Sequence, residues 1–256
     1  MKIIVIPFAT ENPVLLKRYF EIKFGFLKKY NDYMFIFVND RGWLDDQTRN
    51  NIFHDVFNGF PKAILLQNYN KDSIKGGAIY TGLAEALRRY PDASHIGYTD
   101  IDDSLDLEDA ASKLNTFDSS KTDVFLGIRA KRALPDLLCS KAYSLLIKLL
   151  YPKLFKIADL HACFKFFSPD FLKEYFSRKK ITDITFNFEH DILLFALEKK
   201  YKIAQFKVGW EESRYSSGRT LKNIIRAIKA VIRKRFFNKQ SIVYKFSKGG
   251  NNDEEK

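Results

Sequence analysis

The segment Tyr98-Thr99-Asp100-Ile101-Asp102-Asp103 follows directly on a run of β-forming residues, His95 to Thr99. On an extended chain, side chains two residues apart leave the backbone on the same side, so Asp100 and Asp102 can aim at one point. Hard divalent cations such as Mg²⁺ favour oxygen ligands, take few of them from protein and complete their shell with substrate phosphates. A D-x-D at a strand end is therefore a seat for a metal–diphosphate, on the edge where open α/β sheets gather ligands. The same acids could instead cap the helix that follows, a duty for which Asp106, Glu108 and Asp109 are placed. Lys75-Gly76-Gly77 bears on phosphate chemistry too. Its glycines read as a tight turn before a helix, and the first amides of that helix, with Lys75, would present positive potential to an anion.

These residues need a frame. Short β-branched or aromatic runs at Lys2–Pro7, Tyr33–Val38, Lys62–Gln67, His95–Thr99, Thr122–Ile128 and Lys202–Val208 alternate with longer helical patterns, which predicts βαβ units and a mostly parallel sheet. The first helix opens with Asn12 as cap and Pro13 in the first turn, and Leu15, Tyr19, Ile22 and Phe26 recur on one face. Further helices are expected after Gly76-Gly77 through to Tyr90, from near Leu107, from Pro135 to Leu150 and from Phe188 to Lys199. There is no internal repeat.

Composition bounds the class. A chain of 256 residues, 46% hydrophobic and rich in Phe (24) and Tyr (13), can bury a core and is neither collagen-like nor disordered. Two cysteines, Cys139 and Cys163, make no disulfide framework and lack CxxC spacing, which favours a reducing compartment. No uninterrupted apolar run reaches the ~18 residues of a membrane-spanning helix, and the opening apolar run is short for a signal peptide, so a soluble or peripheral protein is expected. The formal charge of +12 is uneven: Arg214 to Lys248 holds eleven Lys/Arg and no acid, which leaves only +3 on residues 1–213. The basic character belongs to an appendage rather than to the fold. No nucleic-acid motif or aromatic stacking platform accompanies it, so no nucleic acid is expected.

Several segments, taken in order, resemble family 2 GT-A glycosyltransferases, the polyprenol-phosphate (dolichyl-phosphate) hexose synthases in particular. Ile6-Pro7 with Glu11 is similar to the family's opening strand and IPAYNE loop, and Val38-Asn39-Asp40 to its VDD strand end. Lys75-Gly76-Gly77-Ala78 with Thr81-Gly82 is similar to KGGAxRxG, Asp100-Ile101-Asp102 to the D-x-D, and Gly127-Ile128-Arg129 to GSR. Asp159 to Lys165 stands where the family has DTQCGFK, Phe188 to Asp191 where it has FDxE, and Tyr201 to Trp210 where it has YRIxEVPVxW. Each motif is weak singly; their joint order and spacing over about residues 2–219 carry the resemblance.

The resemblance implies a GT-A (nucleotide-diphospho-sugar transferase) fold, α/β with a mostly parallel central sheet flanked by helices. It implies an inverting transfer of a hexose from a nucleotide-diphosphate sugar, dependent on Mn²⁺ or Mg²⁺. Pro7, Glu11, Asn39, Asp40, Lys75, Gly76, Gly77 and Asp100 would then hold the nucleotide, and Asp100 and Asp102 the metal. Arg129 would clamp phosphate, its fork matching phosphate oxygens, and Lys165 would steady an acceptor phosphate. Asp191, rather than Glu189, would be the base if the acceptor needs one; an acceptor phosphate is already anionic and needs none. Three departures from the family pattern stand out: Thr10 for Asn, Asn39 for Asp, and His161-Ala162 for Gln-Cys. The first two leave the nucleotide open. A neutral imidazole is a competent divalent ligand, so His161 is a candidate third metal ligand, with a packed histidine as the alternative.

Between Thr220 and Phe237, Leu221, Ile224, Ile225, Ile228, Val231, Ile232 and Phe236 follow helical spacing while Lys and Arg fill most other positions. That is the pattern of a helix lying on an anionic membrane; docking on the domain or on a second subunit is the alternative. The expected organisation is a catalytic domain at 1–212, a basic amphipathic segment at 213–248 and a disordered tail at 249–256. Arg214 to Arg219 resembles a mobile loop of the family, a lid over donor and acceptor. The expected function is transfer to a membrane polyprenyl phosphate at the cytoplasmic face. A hydroxyl of a glycan or lipid-linked oligosaccharide is the alternative acceptor, and a catalytically silent nucleotide-sugar-binding scaffold the alternative class. Oligomer formation is left open.

Overall fold

Strand β1 (Lys2–Phe8) is buried along both faces, with Ile3, Ile4, Val5 and Ile6 all at 0% exposure. Burial on both faces is what a parallel strand covered by helices on each side requires. Alternation then sends successive side chains to opposite layers. Ile3 and Val5 join Ile36, Val38, Ile79 and Leu83 in one core, and Ile4, Ile6 and Phe8 join Leu16, Phe20, Phe35 and Phe37 in the other.

The computed structural model describes residues 1–9, 11–40, 45–68, 75–117, 121–130, 134–178 and 188–211, with residue 232 alone beyond them. Thr10, the loop at 214–219, and all but that one residue of the expected basic segment (213–248) and tail (249–256) lie outside the described residues. Six further strands complete the sheet: β2 (Tyr33–Asn39), β3 (Ala63–Gln67), β4 (His95–Tyr98), β5 (Val124–Arg129), β6 (Lys165–Phe167) and β7 (Ile203–Val208). Their order is β3-β2-β1-β4-β6-β5-β7. All neighbours are parallel except β6, which runs against both β4 and β5. The mostly parallel α/β sheet expected from the sequence is the one found.

Helix α1 (Pro13–Lys29) starts where expected, with Asn12 Oδ1 accepting from Val14 N at 2.9 Å. Its buried face differs from the predicted one. Leu16, Tyr19, Phe20, Lys23, Phe26 and Leu27 face inward, Leu15 lies at the margin and Ile22 is 42% exposed. Phe20 sets this rotation, packing edge-on against Phe8, Phe37, Phe53 and Phe57.

Helix α2 (Asp46–Phe57) has no counterpart among the predicted elements. Its sequence is polar, but Asp45 caps it through Thr48 N at 2.8 Å, and Phe53 and Phe57 anchor it to the aromatic cluster. Helix α3 (Lys75–Arg89) covers the other face, and α4 (Leu107–Thr116) is capped by Asp106 through Asp109 N at 2.9 Å. Helix α5 (Leu134–Leu150) leads into a 3-10 turn, Pro152–Lys156. Helices α6 (Pro169–Ser177) and α7 (Phe188–Glu198) complete the described set. Strand β6 and helix α6 were not predicted either: three residues of strand carry no periodicity, and pairing with β4 and β5 alone defines them. No helix among the described residues is long and apolar enough to cross a membrane.

The β4–β6 contact leaves no room at Gly97, where an added Cβ would meet the Lys165 carbonyl oxygen and the Phe166 ring. Gly97→Ala is expected to lower stability by about 1–3 kcal/mol, the range for overpacking; urea unfolding checks it, and an unchanged midpoint would reject so close an approach.

Candidate active site

The chain builds β1, β2 and β3 in one direction across the sheet and returns to β4 on the other side of β1. Such a reversal opens a crevice at the carboxyl ends of the strands. Pro7 lies within β1 and Glu11 just beyond it, Asn39 and Asp40 end β2, and Asp100 and Asp102 follow β4. Topology thus brings the predicted nucleotide and metal residues to one edge.

Lys75 is the first residue of α3, and its ammonium pairs with Asp100 and lies 3.5 Å from Cys163 Sγ. Gly76 and Gly77 are not a turn ahead of the helix, as expected, but buried members of its first turn. Amides of a first turn lack intrahelical acceptors, so the positive end of α3 is still presented beside Lys75. Burial works against the Lys75 charge, but the carboxylates of Asp100 and Glu189 outweigh it and raise its pKa above the ordinary lysine value.

Asp102 Oδ1 accepts from Ser104 Oγ at 2.6 Å and Ser104 N at 3.2 Å. Burial, then repulsion from Asp100, raises its pKa despite those bonds. Behind it, the buried Lys23 donates to the Asp102 carbonyl oxygen at 3.3 Å, and burial brings that lysine down to about 8. Asp102, its carboxyl raised by burial and by the neighbouring Asp100, forms with it a negative seat that a divalent cation would relieve. The donor set fits Mg²⁺ or Mn²⁺ with substrate oxygens filling the remaining positions.

Among the described residues no three His, Cys, Asp or Glu side chains group as a metal cage. His161, expected as a third ligand, turns Nδ1 towards Glu189 Oε2 at 3.6 Å and stacks on Tyr143 at 5.1 Å. Its Nε2 is buried and has no hydrogen-bond partner among the described residues. Glu189 also accepts from Lys165 Nζ at 2.7 Å and Tyr98 Oη at 2.9 Å. Burial opposes its ionisation, but Lys165, His161 and Lys75 hold its carboxyl far below the usual range.

Other expected roles meet prior commitments. Lys165, assigned to an acceptor phosphate, is fully buried and bonded to Glu189 and the Ala162 carbonyl. Arg129, assigned to phosphate, spends its fork on Asp159 in two 2.7 Å bonds and lies over Trp210. Asp191, the expected base, accepts from Tyr175 Oη at 2.7 Å and faces Arg178 at 3.5 Å. Glu11 takes the Ala9 amide at 2.6 Å, and burial raises its pKa.

Asn39 is engaged on both sides, donating to Gln67 at 2.7 Å and accepting from Arg49 at 3.0 Å, while Asp40 accepts from Asn68 at 3.0 Å. Arg49, 1% exposed, also donates to the Asp40 and Ala9 carbonyls and so ties the ends of β1 and β2 together. Sequence reasoning missed it because nothing local separates a buried arginine in a polar helix from a solvated one. Lys23 was more legible, since it shares the i, i+3, i+4 spacing of the α1 core face.

This strand order, with helices on both faces, is a GT-A architecture. No family model and no curated protein matches the sequence. Among solved structures, the chain is similar to glucosyl-3-phosphoglycerate synthase from Mycobacterium tuberculosis in complex with Mn²⁺, UDP and phosphoglyceric acid, with a TM-score of 0.62 and 15% identity over 92% of this chain and 78% of that one. The complex of that enzyme with Mg²⁺ and UDP gives 0.60 and 15% over 92% and 79%. A further mycobacterial protein gives 0.61 and 16% over 92% and 74%. At this identity the likeness concerns the fold.

Two stability measurements test the site. Glu189→Gln strands the Lys165 ammonium in the interior, and a loss of about 3–5 kcal/mol in urea is expected; a loss below about 1 kcal/mol would mean the pair is not buried as described. Asp102 has a raised folded pKa, so its ionisation opposes folding as pH climbs through the carboxylate range. Asp102→Asn should therefore melt above the parent at neutral pH without divalent ions, with the gap closing in acid. A lower neutral midpoint would contradict the repulsion.

Proposed function

We propose that the chain is a metal-dependent glycosyltransferase that moves a hexose from a nucleotide-diphosphate sugar, with inversion, onto a polyprenyl phosphate at the cytoplasmic face of a membrane. The observation that carries the transferase assignment is the Asp100–Asp102 pair after β4, with Lys75 and the first turn of α3 against it. The fold is shared with enzymes solved with UDP and Mn²⁺ or Mg²⁺.

Asp102 and Asp100 would hold the cation, which when bound supplies Lewis-acid stabilisation of the departing diphosphate. Lys75 lies beside Asp100, where its charge and the α3 amides oppose the negative charge that grows on the leaving group. Asn39, Asp40 and Glu11 border the strand ends where the nucleoside would sit, and Arg49 holds the ends of β1 and β2 in place there. A phosphate acceptor arrives as an anion and asks for no base. The acceptor assignment is supported by the basic and apolar spacing of residues 220–237.

Nucleotide release from UDP- and GDP-hexoses with Mn²⁺ tests the assignment. Activity should need the cation, rise with a polyprenyl phosphate and fall about 100-fold or more in Asp102→Asn, on the scale of a lost electrostatic contact to the transition state. Stimulation by a glycan hydroxyl instead would replace the acceptor. Absence of both release and UDP or GDP thermal stabilisation, with and without Mn²⁺, would remove the enzyme assignment.

A further inference from the structure

We infer that the outward face of α5 and the 3-10 turn after it form a docking surface for an anionic lipid bilayer. One side of this element is internal: Ile147 and Leu154 belong to the core, Leu150 and Tyr151 pack against it, and Tyr143 stacks on His161. The other side exposes Leu145 at 51% and Leu149 at 63%, four residues apart and so side by side on the helix, followed by Phe155 at 53%. Six large apolar side chains are exposed among the described residues, and three of them fall in this short stretch.

Within the segment itself the charges have one sign, and Glu198 of α7 is the acid that reaches it. Lys141, Lys148, Lys153 and Lys156 flank the apolar residues, and no Asp or Glu occurs between Asp136 and Asp159. Lys153 reaches Glu198 at 3.5 Å yet stays 61% exposed. Lysines beside protruding leucines and a phenylalanine suit a bilayer surface, where apolar tips enter the acyl boundary and ammonium groups reach anionic headgroups. The segment from Arg214 to Lys248 also carries eleven Lys/Arg and no acid, a charge that suits the same anionic surface.

Tyr143 on the inner side of α5 stacks on His161, so the helix lies between that histidine and the exposed leucines. A lipid-borne acceptor would be presented on that side; this point rests on the proposed transfer reaction, whereas docking is read without any donor sugar.

Co-sedimentation of the full chain at low salt, with vesicles of phosphatidylglycerol and phosphatidylcholine against phosphatidylcholine alone, tests it. The parent should bind only the anionic vesicles. Leu145→Glu with Leu149→Glu should weaken binding at least about 10-fold, and Lys141→Ala with Lys148→Ala about 30-fold, from roughly fivefold per surface lysine. Thermal midpoints should not move, because all four positions lie outside the core; if the glutamate variant does melt lower, the alanine variant carries the test. Undiminished binding of both variants, or no binding by the parent, overturns the proposal. So does a change from dimer to monomer in the glutamate variant without vesicles, which would assign the face to a second copy. Nucleotide release measured on the same samples keeps failure of the transferase assignment distinct from failure of docking.

Discussion

A charge removed from water must be met by an opposite charge or by hydrogen bonds, and this requirement organises the carboxyl edge of the sheet. Glu189 on α7, Lys165 on β6 and Tyr98 on β4 meet in the interior. Arg129 on β5 and Asp159 before β6 form a second closed pair, while Lys75 and Asp100 pair at the partly exposed edge. These contacts join segments far apart in sequence, so each depends on the fold and in turn fixes how β4, β6 and α7 meet.

The cluster at Asp102 obeys the same requirement but leaves it partly unmet. Ser104 and the nearby lysines moderate the charge, yet burial and Asp100 still raise the Asp102 pKa. Negative potential that the protein alone does not cancel suits a cation and a diphosphate, and it is carried at some expense of stability. Lys165 and Arg129 behave oppositely: their charges are already satisfied, so they position the edge rather than offer open phosphate sites.

Aromatic packing sets the other half of the frame. Phe20 gathers Phe8, Phe37, Phe53 and Phe57 around itself and rotates α1 so that Lys23 faces the D-x-D turn. The same cluster holds α2, and α2 carries Arg49 to the ends of β1 and β2. One hydrophobic contact set thereby aligns two cations behind the crevice.

Alternation of β-branched runs with helical spacing was enough to place β1 to β5, β7 and most of the major helices, because burial on both faces and amphipathic periodicity are local signals. The D-x-D at a strand end and the Lys75 glycine segment were legible for the same reason. Which charges stay open was not: Arg129, Lys165 and Asp191 have the right chemistry in sequence, and only the folded chain shows that Asp159, Glu189 and Tyr175 occupy them. Local spacing determines what an element can become, whereas pairing between distant side chains depends on distances that exist only once the sheet is assembled.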